Sequence, residues 1–343
     1  MRLMESTKRL FSWLDILKFV CAFLVIYIHT EPLKEVQPLA NSILLCFSHV
    51  GVAVFFVLSG FFCAYGRNAK GTVMGTDGMG EFVRRVLRLY VVWWIPNMVL
   101  YIIYDSVSPD MLLRLFFGVW HLWFLAGLLQ IALVIVVWRR FFCLRYLWYA
   151  SGVVYAVGAL LSTYSGYLPV DREYFFFVRN GFVYGLFFFL TGVHIGAWQK
   201  SLGDFCRKDR LTLLLGAALL LQLVEAAYIY WLRGAGGTFD FYLGQMLLAP
   251  LLIIFWLNFP IMEAVNAAFS IGLRRSSTLI YCVHVPVMVC LMLWGQPLLA
   301  VAAGVLGVDE RMANFCLVSA GACLFAGVVL LLQRCMPRLR FLW

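Results

Sequence analysis

Long apolar runs separated by short polar segments make up most of the chain. Each run is close to twenty residues long, which is the length that an α-helix needs to cross the hydrocarbon core of a bilayer. Glycine, proline or charged residues separate the runs. The pattern predicts about ten transmembrane helices, at residues 13–30, 42–65, 86–104, 119–137, 144–163, 178–198, 211–232, 241–258, 277–295 and 315–332. We therefore expect an all-α, polytopic integral membrane helix bundle, with residues 1–343 forming one transmembrane domain.

The composition supports this prediction and also indicates which kinds of partner the protein has. Hydrophobic residues make up 64% of the chain and charged residues 13%, whereas soluble domains carry about 25% charged residues. The net charge of +10 is what basic membrane loops produce, so we expect the lipid bilayer as a partner and no nucleic acid. The 10 cysteines form neither a CxxC pair nor a Cys/His ligand spacing, which argues against a metal site.

Lysine and arginine are distributed unevenly between the predicted loops. Alternate loops, starting with the N-terminal segment, contain the basic clusters at 84–88, 139–145, 207–210 and 274–275, whereas the loops between them contain fewer basic and more acidic residues. Cytoplasmic loops of membrane proteins are enriched in Lys and Arg. We therefore expect both termini in the cytoplasm of a multi-pass protein of the inner (plasma) membrane.

The first predicted helix contains three ionisable residues, Asp15, Lys18 and His29. Such groups are costly inside a bilayer and mark functional sites by default. Asp15 and Lys18 are three residues apart, so we expect an ion pair between them. Lys18 and His29 are eleven residues apart, which places them on one face of the helix but about 16 Å apart along its axis. The alternative is that Asp15 and Lys18 extend towards the inner surface and His29 caps the outer helix end.

Further polar residues fall in the outer half of the predicted bundle and are candidates for binding a substrate. They are His49, His121, Trp123, Arg179, Asn180 and Glu225. Because His121 lies between tryptophans, a place in the aromatic belt at the membrane surface is an equal alternative for it. For His284, on the ninth predicted helix, we expect a structural hydrogen bond.

Two arginines, Arg85 and Arg88, stand three residues apart where the third predicted helix begins. They share a helix face, and guanidinium groups bind phosphate through paired hydrogen bonds. A phosphate-bearing ligand at the inner surface would fit this pair. Contact with lipid phosphates would give the same pattern, so both interpretations stay open.

Taken together, these segments resemble the acyltransferase-3 family of membrane acyltransferases. The matching pieces are residues 14–18 with His29 ten residues beyond Lys18, Phe-Phe-x-x-Ser-Gly-Phe at 55–61, Arg-x-x-Arg at 85–88, and residues 121–125 and 277–284. The resemblance implies transfer of an acyl group, usually acetyl, from cytoplasmic acyl-CoA to a hydroxyl of a glycan or other cell-surface acceptor. No metal is implied.

The resemblance also implies roles for individual residues. His29 would be the catalytic base, with Lys18 as its essential partner and Asp15 beside it. Arg85 and Arg88 would contact CoA, and Ser59 is grouped with them as a donor-binding residue. An oligomer is compatible with this interpretation.

The sequence departs from the family pattern at two places, and these departures favour an alternative function. The family more often has arginine where this chain has Lys18, and residues 28–33 are closer to the membrane domain of VanT-type serine racemases. That domain is thought to supply serine, so the alternative function is a small-molecule, serine-like permease. A purely structural scaffold would leave the ionisable groups of the first helix unexplained.

Overall fold

A computed structural model describes residues 11–65, 76–105, 111–165, 178–205, 207–234, 240–258 and 266–343. Every regular element in these ranges is helical. The α-helices are α1 (Ser12–Thr30), α2 (Pro38–Ala64), α3 (Thr76–Asp105), α4 (Met111–Phe117), α5 (Trp123–Trp138), α6 (Leu144–Ala159), α7 (Leu186–Phe205), α8 (Lys208–Arg233), α9 (Gln245–Asn258), α10 (Ala267–Trp294), α11 (Gln296–Leu306) and α12 (Glu310–Cys335). Shorter turns occur at Trp120–Leu122, Leu160–Tyr164, Gly181–Gly185 and Pro337–Leu342.

The predicted fold class is confirmed, since nine helical segments in the described ranges are long and apolar enough to cross a membrane. They are Ser12–Thr30, Pro38–Ala64, Gly78–Asp105, Trp120–Trp138, Leu144–Tyr164, Gly181–Trp198, Lys208–Arg233, Ala267–Trp294 and Glu310–Cys335. The predicted span 241–258 differs, because its helical part is only the 14 residues of α9. A helix of 14 residues is about 21 Å long, which is shorter than a bilayer core of about 30 Å.

The most extensive helix contact in the bundle is between α2 and α7. Two glycines make this close approach possible. A Cβ atom on Gly60 would lie 1.9 Å from the carbonyl oxygen of Phe189, and one on Gly192 would lie 1.9 Å from the carbonyl oxygen of Val57. Because lipid provides no hydrophobic drive between helices, small residues that let backbones approach are a main source of stability. The glycine pair therefore fixes the position of α2, which carries His49.

The helices α1 and α10 pack side by side and are joined at one end by a buried carboxylate. Asp15 accepts hydrogen bonds from Arg274 Nε at 2.8 Å and Arg274 Nη2 at 2.9 Å. Ser270 Oγ donates to the same carboxylate at 2.5 Å. The predicted ion pair between Asp15 and Lys18 is wrong, because Arg274 takes the carboxylate and Lys18 Nζ lies 3.4 Å from Thr278 Oγ1 instead.

Breaking this junction should destabilise the bundle. We expect Asp15→Ala to lower the free energy of unfolding by about 2 kcal/mol, since hydrogen bonds to charged groups contribute about 1.5–3 kcal/mol. Thermal unfolding in detergent, followed by intrinsic tryptophan fluorescence, measures the change. In a double-mutant cycle with Arg274→Ala, the second substitution should cost little once the first is present. Additive losses would contradict direct pairing.

The segment that leads into α7 is held by side chains at fixed positions. Asn180 Oδ1 accepts hydrogen bonds from the backbone NH groups of Phe182 and Val183, both at 2.9 Å. Gln130 Oε1, on α5, accepts the NH of Gly181 at 2.7 Å. These bonds satisfy NH groups that a helix start leaves open. They also set the positions of the two neighbours that contribute to the site, Arg179 and Tyr184.

Candidate functional site

A cavity of about 230 Å³ lies inside the bundle at the end of α1 that carries His29. Its polar walls come from five positions in different parts of the chain, and its apolar walls are mainly aromatic. The polar lining residues are His29, His49, His121, Arg179 and Asp240, and the aromatic ones are Phe55, Trp123, Phe124, Tyr184 and Tyr281. The structure therefore brings together five of the predicted catalytic and substrate-binding residues, including Trp123.

His29 is half-buried on the last turn of α1. The helix ends directly after it, because Glu31 adopts a left-handed conformation (φ 42°) and its NH bonds to the carbonyl oxygen of Tyr27 at 2.9 Å. Thr30 Oγ1 also donates to the Ile26 carbonyl at 3.0 Å. This termination leaves the imidazole of His29 facing the cavity rather than a further helical turn.

His121 lies in a sharply folded turn before α5. Two residues ahead of it have positive φ, Gly118 at 91° and Trp120 at 46°. Its Nε2 lies 3.2 Å from the carbonyl oxygen of Cys282, and Tyr281 Oη donates to the His121 carbonyl. The turn is thus bonded to α10 through both its backbone and its imidazole.

For His284 the expected structural hydrogen bond is confirmed, because its Nδ1 lies 2.7 Å from the Tyr281 carbonyl oxygen. The sequence did not indicate that the His284 ring also lies beside those of His29 and His121. Its side chain is fully buried on α10, and its ring centroid lies 5.2 Å from that of His29 and 4.6 Å from that of His121. The centroids of His29 and His121 are 6.4 Å apart. The three rings form one cluster, with His284 behind the two that line the cavity. Its place in the segment 277–284, already matched to the family, was the signal that pointed to it.

Three further polar residues of the cavity lining are bonded to one another. Asp240 accepts from His49 Nε2 at 3.0 Å and from Arg179 Nε, while His49 Nδ1 lies 2.8 Å from the Leu45 carbonyl oxygen. Burial alone would raise the pKa of Asp240, but the adjacent Arg179 charge and the His49 hydrogen bond hold that pKa below its ordinary value. The carboxylate is therefore ionised, and its bonds hold Arg179 and His49 in the wall of the cavity.

Three predicted site residues are bonded elsewhere and do not line the cavity. Glu225 accepts hydrogen bonds from Tyr164 Oη and from the backbone NH groups of Leu243 at 2.5 Å and Gly244 at 2.7 Å. The carbonyl oxygen of the Asn180 side chain is used to cap the start of the next helix. Ser59 Oγ donates to the Phe55 carbonyl of its own helix at 2.8 Å. These contacts stabilise the local backbone.

A second group of charges lies towards the other end of α1. Lys18 is within electrostatic range of Arg85, Asp15 and Arg274, and Arg85 and Arg88 are exposed on α3. Because α1 is one uninterrupted helix, Lys18 remains about 16 Å from His29. By the same geometry Asp15 is about 21 Å from His29. Neither side chain can touch a group that reacts at the cavity.

Within the described ranges, no cluster of three or more His, Cys, Asp or Glu side chains has a geometry that could hold a metal ion.

Comparison with known proteins shows the family of the chain. A family model for an acyltransferase domain matches residues 11–334. The chain belongs to the acyltransferase-3 family. An amino-acid racemase of Enterococcus faecalis is 27% identical over 206 residues, which cover 54% of this chain and 28% of that protein. The chain thus matches well under half of the racemase's length. No solved structure matches this acyltransferase-3 chain.

Proposed function

We propose that this membrane acyltransferase moves an acyl group, most simply acetyl, from cytoplasmic acyl-CoA to a hydroxyl of a glycan or related cell-surface acceptor. The observation that carries the proposal is the position of His29, on the wall of a buried cavity and on the same helix as Lys18. One helix thereby joins a basic region suited to the donor to a cavity suited to the acceptor. The inner membrane and cytoplasmic termini belong to this proposal.

The proposed chemistry uses His29 as a general base. The acceptor oxygen attacks the thioester carbonyl carbon while its hydroxyl proton moves to a ring nitrogen of His29. The carbon–sulfur bond then breaks, and the proton passes to the sulfur so that CoA leaves as a thiol. A positioned base of this kind contributes about 10²–10⁴-fold to a rate. The aromatic walls at Trp123 and Phe124 suit the apolar face of a sugar ring.

The donor would lie along α1. Arg85 and Arg88 would bind the CoA phosphates, and Lys18, within electrostatic range of Arg85, would contact the arm that carries the thioester. The cavity, at about 230 Å³, is too small for a whole CoA molecule. Only the acyl end would enter it, and the nucleotide would remain at the arginines.

Donor binding provides the test. We expect the double variant Arg85→Ala/Arg88→Ala to bind CoA at least about tenfold more weakly than the unaltered protein, since charge-assisted hydrogen bonds contribute about 1.5–3 kcal/mol. Isothermal titration of purified protein in detergent with CoA measures the affinity. Arg84→Ala is the matched control, because Arg84 is an exposed arginine of the same helix outside the Arg-x-x-Arg pair. Equal CoA affinity in all three proteins, or no CoA binding at all, would count against the proposal.

A second function is favoured by one observation, the similarity to part of an amino-acid racemase. A serine-like permease would use the same cavity, with Arg179 and Asp240 binding the carboxylate and ammonium groups. It would take up radiolabelled serine in proteoliposomes without CoA, and Arg85→Ala/Arg88→Ala would not alter that uptake. The acyltransferase proposal expects no uptake.

A further inference from the structure

Two buried histidine nitrogens next to the cavity have no hydrogen-bond donor. His284 Nδ1 lies 2.7 Å from the Tyr281 carbonyl oxygen and 3.3 Å from that of Ile280. Since a carbonyl oxygen only accepts, Nδ1 carries the ring proton and Nε2 is a bare acceptor. His284 Nε2 is buried and unpartnered among the described residues. The same argument applies to His121, whose Nε2 faces a carbonyl and whose Nδ1 is bare and buried.

Two bare acceptors cannot bond to each other, so a donor must come from a neighbour. When two imidazoles share an N–H···N bond of about 2.9 Å, their centroids are about 5 Å apart, because each nitrogen lies about 1.1 Å from its ring centre. The His29–His284 centroid separation of 5.2 Å matches such a bond, whereas the His29–His121 separation of 6.4 Å is too long. The two rings are tilted by 44° and the bond is not formed in the structure, so a rotation of the rings is needed to form it. His284 is therefore the partner within reach of His29.

We propose that His284 is a positioning residue for His29. After a rotation of the rings, its Nε2 accepts the N–H of His29, which fixes the tautomer in which the other nitrogen of His29 is unprotonated and faces the cavity. The inference rests on the proposed function, in which that nitrogen takes the acceptor proton. It extends to a histidine the logic by which a third group orients the base in hydrolytic triads.

The proton balance keeps His284 unchanged. The acceptor's hydroxyl proton moves to the cavity-facing nitrogen of His29 as the oxygen–carbon bond forms. The same proton then passes to the sulfur as the carbon–sulfur bond breaks. His284 retains its own proton on Nδ1 throughout, and it accepts a hydrogen bond from both the neutral and the protonated form of His29.

Two substitutions separate positioning from a structural role. His284→Asn keeps an NH donor near the Nδ1 position, and so keeps the bond to the Tyr281 carbonyl, but removes the acceptor at Nε2. His284→Gln places its amide near the Nε2 position, where the carbonyl can accept. His194→Asn is the matched control, because His194 also has a buried, unpartnered Nε2 but stacks near Trp148, away from the cavity.

The first readout is thiol release from acetyl-CoA with water as the acceptor, measured on purified protein. We expect His284→Asn to lower kcat by about 100-fold with an unchanged KM for acetyl-CoA. His284→Gln should recover at least about tenfold of that loss, and His194→Asn should match the unaltered protein. A purely structural role predicts the reverse order, with asparagine tolerated and glutamine harmful, and that result would overturn the proposal.

The second readout does not depend on catalysis. The chain contains 5 histidines, so ¹⁵N-histidine spectra recorded at mildly alkaline pH can be assigned by single substitutions. We expect one neutral tautomer for His29 in the unaltered protein and in His284→Gln, and a tautomer mixture in His284→Asn. An unchanged His29 tautomer in His284→Asn would refute positioning. Absence of thiol release and of CoA binding in the unaltered protein would instead refute the acyltransferase proposal.

Discussion

His29→Ala is expected to abolish most acyl transfer, with a loss of about 10²–10⁴-fold in kcat, while the protein stays folded. The imidazole is half-buried at a helix end and faces the cavity, so its removal deletes the base without opening a tightly packed interior. Thiol release from acetyl-CoA gives the rate, and thermal unfolding in detergent verifies the fold.

This experiment has two controls. One is a variant of a histidine outside the cavity, and the other is a measurement of CoA affinity. His194→Ala removes a buried imidazole from α7 that does not line the cavity, and it should leave kcat unchanged. CoA affinity should also be the same in His29→Ala as in the unaltered protein, because Arg85 and Arg88, the proposed CoA-binding residues, do not line the cavity. Undiminished turnover in His29→Ala would remove this residue from the mechanism.

Gly192→Ala is expected to have the largest effect on stability. The added Cβ would lie 1.9 Å from the carbonyl oxygen of Val57 and 2.8 Å from the backbone nitrogen of Phe61, so the helices α2 and α7 would have to separate. Overpacking of a core costs about 1–3 kcal/mol when side chains can adjust, and a clash with backbone should exceed that range. We expect a much lower unfolding temperature or an aggregated product on size-exclusion chromatography.

Gly216 lies elsewhere in the bundle, and its replacement by alanine is not expected to destabilise the protein. A Cβ on Gly216, in α8, would meet no atom within 4 Å. Alanine favours a helix over glycine by about 1 kcal/mol, so Gly216→Ala should leave the unfolding temperature unchanged or raise it. If both alanine variants behaved alike, the close contact between α2 and α7 would not be a determinant of stability.

The bundle was largely predictable from the sequence, because the thickness of a bilayer fixes the length of an apolar run. Nine of the ten predicted spans correspond to helices of the expected kind. The exception, 241–258, begins with non-helical residues and contains Pro250 within its helical part. An apolar run in a buried, irregular segment has the same composition as one in a helix, so hydropathy cannot separate the two.

The hydrogen-bond partners of side chains on different helices were harder to predict than the positions of residues along one helix. The three-residue spacing of Asp15 and Lys18 favoured a local pair, but the carboxylate bonds to Arg274, 259 residues away in sequence. Glu225 was expected to bind a substrate, but it accepts hydrogen bonds from the backbone of Leu243 and Gly244 and does not line the cavity. The position of His284 beside His29 and His121 was not predicted for the same reason: helical spacing indicates which side chains share a face, not which neighbouring helix that face meets.

The pairing of α1 with α10 has a consequence for how the protein is made. His29 lies near the beginning of the chain and His284 beyond its three-quarter point, so the ribosome completes the first long before the second. In a chain inserted from its N-terminus, His29, the proposed base, has no contact with His284, its proposed positioning partner, until α10 has entered the membrane. Partially synthesised or truncated chains that lack His284 would then consume acyl-CoA about 100-fold more slowly, and most donor turnover would be confined to fully inserted protein.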